Sequence, residues 1–383
     1  MSHIVRFSVS GLAGRAEPFA QTLDRHLNIF FGLNGTGKTS LLKILHSAMK
    51  HDPSGLARVP FENADVTIYS LTYNAEFTTY ISKTRPKKAE QAEAVAHGSD
   101  VVPARRERPL KLEWKYREQL PVGVRGSWQE TYLPTWRLQP AEAEIPEYRF
   151  SPYARPEEPD WDVFFAQSLE RIWVNYSTEL LSQLQRIQGE GLVSILKGIM
   201  RPSRSKQSKV VFDADLAYNR VRAFLHRQGA RGILESKDIF EKRYRADKHL
   251  RKVVDDINSI EERVEKTRAA RNNLERLIHD MFIGPKKLVF TDTDIRVESS
   301  AGADIGLASL SSGEKQMLRL LIECLLAQQS SLLIDEPEIS LHIDWQRRLV
   351  SSMRLLNSKA QLILATHSPE IMAEIPDEHI FRL

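Results

Sequence analysis

This chain of 383 residues predicts an α/β fold, with a mixed sheet interrupted by a helical, partly coiled-coil insertion. Three features carry that expectation. Near the N-terminus an apolar run, Leu27–Phe31, leads into a glycine-rich turn and then a helical pattern, Ser40–Leu45. Far along the chain a second apolar run, Ser331–Ile334, stops at two acids, Asp335 and Glu336, and a third, Leu362–Thr366, stops at His367. Between them lie 51 residues, 233–283, with neither Gly nor Pro, which read as helix.

The glycine-rich turn is G-x-x-x-x-G-K-T in full: Gly32-Leu33-Asn34-Gly35-Thr36-Gly37-Lys38-Thr39. A strand before it and a helix after it separate a phosphate-binding loop from a chance glycine turn. The glycines let successive backbone N–H groups turn inward around phosphates, and the N-terminus of the helix adds partial positive charge. On this reading Lys38 reaches the β- and γ-phosphates and the Thr39 hydroxyl ligates Mg²⁺. A buried strand delivers Asp335 to the same Mg²⁺ shell, and Glu336 polarises the attacking water.

Leu310-Ser311-Ser312-Gly313-Glu314-Lys315-Gln316 opens another helix, whose first amides and serine hydroxyls suit an anion. Ser311 and Glu314 are equally an ordinary capping box. His367, at a strand end, has an equally simple structural explanation when taken alone.

Strand-like alternation also marks Val66–Leu71 and Phe77–Ile81, with Asn74-Ala75 as a hairpin turn, and again Leu110–Tyr116. Residues 83–108 form a polar, basic excursion, and 134–160 a Pro- and Glu-rich connector. From 161 the periodicity turns helical. A heptad fits 250–281, with Leu250, Ile257, Val264 and Ile278 at a, and Val253, Ile260, Leu274 and Met281 at d; Thr267 and Arg271 break the seam. One straight helix over 233–283 would run roughly 75 Å, and two antiparallel halves fit the sequence as well. The stripe packs either on the chain's own helices at 161–200 and 214–228 or on a partner. A loose segment carries Lys197, Arg201, Arg204, Lys206 and Lys209 with no acid between Gly191 and Phe212. Such a segment suits phosphate backbones or an acidic protein, though no aromatics interleave it for base stacking.

Composition sets the surroundings. No apolar run approaches a membrane-spanning length, and mean hydropathy is −0.37. The first residues lack a signal-peptide pattern, and the single cysteine, Cys324, reads as a small core residue. A cytoplasmic protein without membrane contact is expected. A net charge of +4 is permissive of DNA without demanding it.

The order P-loop, LSSGE, Asp-Glu, His resembles the ABC-type ATPase superfamily, and within it the SMC, Rad50, RecF and OLD-like branch. The likeness covers 1–50 and 305–383. It implies a head with an antiparallel β-subdomain formed by the strands after residue 60. By that resemblance Gly32 to Thr39 are Walker A, Leu310 to Gln316 the signature, and Asp335 and Glu336 Walker B. Ser340, Leu341 and His342 fall in the D-loop, and His367 is the switch histidine. The implied ATP-binding set is Gly32, Asn34, Gly35, Thr36, Gly37, Lys38, Thr39 and Ser40 with Ser311, Ser312, Gly313 and Glu314. Catalysis would fall to Glu336, His367 and Lys38, and Mg²⁺ to Thr39 and Asp335.

The resemblance further implies a homodimer or higher homo-oligomer with composite ATP sites, in which Ser311 serves the other head's nucleotide. It divides the chain into an N-terminal half-head (1–160), a helical insertion (161–284) and a C-terminal half-head (285–383). Only 16 residues follow His367, so the nuclease domain that OLD-like proteins carry there is not expected. A nucleotide-dependent switch or sensor follows, resembling the ATPase subunits of PARIS- and Septu-type antiphage systems that control a separate nuclease or toxin. A RecF- or SMC-like ATPase of DNA repair or chromosome maintenance is the alternative. A transporter subunit fits less well, because signature and Walker B stand too far from Walker A.

Overall fold

The computed structural model describes residues 2–84, 113–118, 128, 130–134, 161–200, 213–227, 229–230, 232–282 and 284–383. Most of the excursion at 83–108, the connector beyond Pro134, and Arg201, Arg204, Lys206 and Lys209 lie outside the described residues. The chain divides into two units: one of residues 1–166, 280–284 and 305–383, the other of residues 167–279 and 285–304.

In the first unit the two strand senses are segregated. The parallel sheet contains β3 (Leu27–Phe31), β7 (Glu130–Leu133), β10 (Ser331–Asp335), β11 (Gln361–Thr366) and β12 (Ile380–Arg382), in the order β12-β3-β11-β10-β7. Its central strands read as near-continuous apolar runs because both faces are covered, as parallel sheets require. Every residue of β10 and β11 is buried. Helix α1 (Lys38–Lys50) follows β3 and inserts Leu41, Leu42, Ile44, Leu45, Ala48 and Met49 into the core.

The antiparallel sheet contains β1 (Ser2–Ser10), β2 (Phe19–Thr22), β4 (Asn63–Ser70), β5 (Ala75–Thr84) and β6 (Glu113–Glu118), in the order β2-β1-β4-β5-β6. The β4–β5 turn ends at Asn74 with φ 51°, a left-handed conformation that Asn tolerates. One buried side chain joins the two sheets. Gln361 at the start of β11 accepts from the Ile4 amide (2.9 Å) and the Ser331 hydroxyl (2.7 Å), and donates to the Ile4 and Asp24 carbonyls (2.8 Å each). With both ends of its amide occupied, this polar group sits in the core without the penalty of an unmet hydrogen bond.

The second unit is built on α2 (Trp161–Met200), which begins in the first unit, with α3 (Ala214–Arg227), α4 (Lys237–Ala246) and α5 (Lys248–Met281). The stretch 233–283 is one short and one long helix, broken at Asp247, whose carboxylate accepts from the His249 amide at 2.8 Å. Its apolar stripe packs in-chain. Ile257, Ile260 and Val264 share a core with Leu180, Leu184, Ile187 and Ile195 of α2 and Ala217, Val221 and Phe224 of α3. The buried face is wider than a heptad seam, since Val254 is also fully buried.

Helices α2 and α5 run antiparallel. Arg263 bonds Glu190 at 3.1 Å, while near the other end the Arg271 guanidinium lies 5.4 Å from the Trp173 ring. The break in the seam at Arg271 has a physical reason. A hairpin, β8 (Lys286–Phe290) and β9 (Ile295–Ser299), covers the helix there. Arg271 bonds the Phe290 carbonyl at 3.2 Å, Asp292 and Glu275, and the Trp173 indole N–H donates to the Thr291 carbonyl at 2.8 Å. Residues 285–304 therefore group with the helices, not with the C-terminal half-head to which the sequence division assigned them.

Candidate functional site

Three adjacent parallel strands, β3, β11 and β10, deliver their C-terminal ends to one place. In open α/β sheets that edge is where ligands bind. After β3 the chain turns through Gly32–Gly37 into α1. Gly37 caps the helix at φ 103°, which a side chain would oppose, and a Cβ there would come within 3.1 Å of the Ala13 Cβ. Asn34 and Gly35 form the exposed tip of the loop, and Thr36 closes it by donating to the Leu33 carbonyl at 2.9 Å. Ser40 lies in the first turn of α1, partly buried.

Lys38, only 4% exposed, folds back over the loop. Its ammonium donates to the carbonyls of Gly32 (2.8 Å) and Leu33 (3.2 Å) and lies 3.6 Å from the Glu336 carboxylate. Beside it the Thr39 hydroxyl donates to Asp335 Oδ2 at 2.8 Å, bridging 296 residues of sequence. This hydroxyl and carboxylate are adjacent hard oxygen donors, the set that Mg²⁺ prefers. The residues present therefore fit the ion.

Glu336 follows Asp335 with φ 49°, and Ser340 has φ 63°. Two non-glycine residues in this region cost of the order of 1–3 kcal/mol each, and such strain clusters at functional sites. The turn is held by Glu336 N–H donating to the Ala365 carbonyl at 2.8 Å and Leu341 N–H to the Glu338 carbonyl at 3.0 Å. Burial, then the neighbouring Glu338 carboxylate, push the Glu336 carboxyl above the usual carboxylate range, while His367 and Lys38 pull the other way. The His367 Nδ1 contacts Glu336 Oε2 and lies 3.2 Å from Glu338 Oε1. With Nδ1 committed to carboxylates it carries the proton, an assignment made from its partners.

The signature segment opens α6 (Ser312–Leu326) with the capping box complete: Ser311 N–H donates to Glu314 and Glu314 N–H to the Ser311 hydroxyl. Ser311 and Ser312 are exposed while Gly313 is buried. Among the described residues no hydrogen bond or ion pair joins Ser311, Ser312 or Gly313 to the loop 32–39 of the same chain. The segment is instead brought to the turn after β10. Gln316 donates to the Pro337 carbonyl at 3.1 Å, and a Cβ on Gly313 would lie 2.5 Å from the Ser340 carbonyl oxygen. Lys315, also buried, pairs with Asp162 at 2.7 Å. His342 caps α7 (Ile343–Leu356), accepting from the Asp344 amide.

Sequence reasoning did not assign Glu338. It is 6% exposed, and its Oε1 accepts from the Thr366 hydroxyl (2.6 Å), the His367 amide (2.9 Å) and the Ser368 amide (3.1 Å). Its signals in the chain were an acid two residues after Glu336 and its place at the head of the run Glu338-Ile339-Ser340-Leu341-His342, neither of which shows that the fold buries it.

A phosphate-loop turn, a hydroxyl–aspartate pair and a glutamate–histidine pair on one parallel-sheet edge define a nucleotide-binding head of the P-loop ATPase class. The chain belongs to the family described as AAA domain, putative AbiEii toxin, Type IV TA system, which matches residues 164–373. It is similar to the retron Vc95 probable ATPase of Vibrio cholerae serotype O1 biovar El Tor, with 30% identity over 92 residues. That match spans 21% of this chain and 18% of the relative. Among solved structures, the SMC head domain of Pyrococcus furiosus with an extended coiled coil, bound to the C-terminal domain of ScpA, is 11% identical with a TM-score of 0.44, covering 97% of this chain and 92% of that one. The Thermotoga maritima SMC head domain is 12% identical with a TM-score of 0.39, covering 97% and 91%. Among the described residues no helix is long and apolar enough to cross a membrane.

Proposed function

We propose that this chain binds ATP with Mg²⁺ and hydrolyses it between two copies of its head, acting as the nucleotide-dependent switch of a prokaryotic antiphage system that controls a separate nuclease or toxin. The observation that carries the hydrolytic part is the meeting of Lys38 and Thr39 with Asp335 and Glu336 across almost 300 residues of chain. When bound, Mg²⁺ would neutralise charge on the phosphate oxygens, with Thr39 and Asp335 holding it. Lys38 moves its ammonium from the Gly32 and Leu33 carbonyls to phosphate oxygen. Glu336 accepts the proton of the attacking water; its raised position among carboxylates makes it a better base. His367, its Nδ1 proton held by carboxylate, turns Nε2 to the γ-phosphate.

Exposed Ser311 and Ser312, at the N-terminus of a 15-residue helix and unbonded to their own phosphate loop, suit the nucleotide of a second copy. The likeness to a retron's probable ATPase and the family's description as a putative toxin of a Type IV TA system both support the defence role. A nuclease-like gene beside this one that co-purifies with its product is the expected finding; a repair or replication gene in that place would overturn the defence role.

The hydrolytic reading is tested by Glu336→Gln against Lys38→Ala. Glu336→Gln is expected to co-purify with ATP and turn over about 10²–10⁴-fold more slowly, because the binding groups remain while the base is lost. Lys38→Ala is expected to lose nucleotide. Wild-type turnover in Glu336→Gln would remove Glu336 from the role of base.

A further inference from the structure

Glu338 stands three residues beyond Asp335, buried, and outside the motif residues given a role. Burying a carboxylate costs several kcal/mol unless donors compensate it. Here the compensation is concentrated on one atom. Oε1 takes the Thr366 hydroxyl and the amides of His367 and Ser368, the three consecutive residues that leave β11, and lies 3.2 Å from the His367 ring nitrogen. Its own carbonyl accepts from Leu341 N–H (3.0 Å) and Gln346 Nε2 (3.4 Å), and Ser368 Oγ in turn donates to Gln346 Oε1 at 2.7 Å. The Glu338 side chain thus ties the turn after β10 to the exit of β11, while its main-chain carbonyl reaches Gln346 of α7. Two fixed amides on either side of the His367 Cα leave its Cα–Cβ bond a single direction. That direction brings Nδ1 to Glu336.

We propose that Glu338 is the positioning residue of this site: by the placement of Oε1 it aims His367 across Glu336 toward the γ-phosphate. The inference rests on the reading of His367 as a participant in ATP hydrolysis. All the contacts fall on one oxygen, and Oε2 is buried with no hydrogen-bond partner among the described residues. A neutral carbonyl at the Oε1 point meets the same donors. A carboxylate on a side chain one carbon shorter, drawn back by about 1.5 Å, does not. Placement and charge are therefore separable.

The test compares ATP turnover and nucleotide affinity in wild type, Glu338→Ala, Glu338→Gln, Glu338→Asp, His367→Ala and the double variant His367→Ala/Glu338→Ala. Melting curves run alongside. Glu338→Ala and Glu338→Asp are expected to lose about 10²-fold in kcat, the effect of an ångström of misplacement, with KM for ATP little changed. Glu338→Gln is expected to recover most of what Glu338→Ala loses. The double variant is expected to be no slower than His367→Ala, because a residue that acts through another adds nothing once that other is gone. Three results overturn the proposal: Glu338→Asp near wild type while Glu338→Gln is slow, which makes charge the requirement; additive losses in the double variant; or full kcat in Glu338→Ala. Undiminished turnover in His367→Ala is a different failure, since it removes the hydrolytic role of His367 and with it anything for Glu338 to aim. Glu338→Gln keeps the length and bulk of the wild-type side chain while Glu338→Asp is one methylene shorter, so the melting curves are read beside turnover: a loss of kcat in Glu338→Asp that comes only with partial unfolding at the assay temperature counts against the proposal.

Discussion

Gly313→Ala sets two effects of opposite sign against each other, and the structure decides between them. Gly313 is in the first turn of α6 with no left-handed torsion, so alanine there favours the helix by about 0.5–1 kcal/mol. Its Cβ, however, would stand 2.5 Å from the Ser340 carbonyl oxygen, with Trp345 3.9 Å away on another side. Carbon–oxygen contacts settle no closer than about 3.3 Å, so the turn or the helix must retreat by about 0.8 Å. Ser340 has little freedom to give way, because it is held at φ 63° between the buried Leu341 side chain and the Glu338–Leu341 hydrogen bond. Overpacking of this kind costs about 1–3 kcal/mol, which at mid-range exceeds the helix gain and leaves a net loss of about 1 kcal/mol. For a unit of this size that is a fall in Tm of about 2–4 °C. Differential scanning calorimetry measures it, with ATP turnover as a second readout that should fall with the displaced signature segment. A variant as stable as wild type, or more so, with full turnover would show that α6 and the turn after β10 do not depend on contact at glycine.

Mixing Lys38→Ala chains with Ser311→Arg chains should restore turnover that neither parent has, because each mixed dimer keeps one intact composite site. Mixed dimers that are demonstrably formed and still silent would refute composite sites. His3 supplies a pH dependence: burial, aided by the nearby Arg25 and His26, lowers it from 6.5 to about 4. Its folded value lies below its unfolded value, so its contribution is complete above about pH 6.5 and is lost as pH falls toward 4. At ~1.4 kcal/mol per pH unit the ceiling is ~3.4 kcal/mol, which solvent screening of a half-exposed ring reduces to about 1–2 kcal/mol. Urea midpoints at pH 7.5 and 5.0 should therefore diverge less in His3→Gln than in wild type; equal divergence would assign the loss to other groups.

What the sequence determined by itself was whatever local chemistry demands. A phosphate loop needs glycines at fixed spacing, so Gly32–Thr39 is recognisable without any partner. Strands buried on both faces need continuous apolar residues, so β3, β10 and β11 stand out, and Asn74 announces the β4–β5 turn. Strand β1 hides because a register shift between Ile4 and Arg6 breaks its alternation, so Ile4 and then Phe7 and Val9 face the core. Strands β7 and β12 are only four and three residues long and are strands because β10 and β3 pair with them. The helical stripe at 250–281 was visible, but period alone does not name what covers it. Only the packing of α2 and α3 chose the chain's own helices, and only the β8–β9 hairpin explained Arg271 in the seam. Glu338 shows the limit most sharply. An isolated glutamate carries no mark of burial, and its role exists only because β10 and β11 are neighbours, a fact of tertiary pairing between residues about 30 apart in the chain.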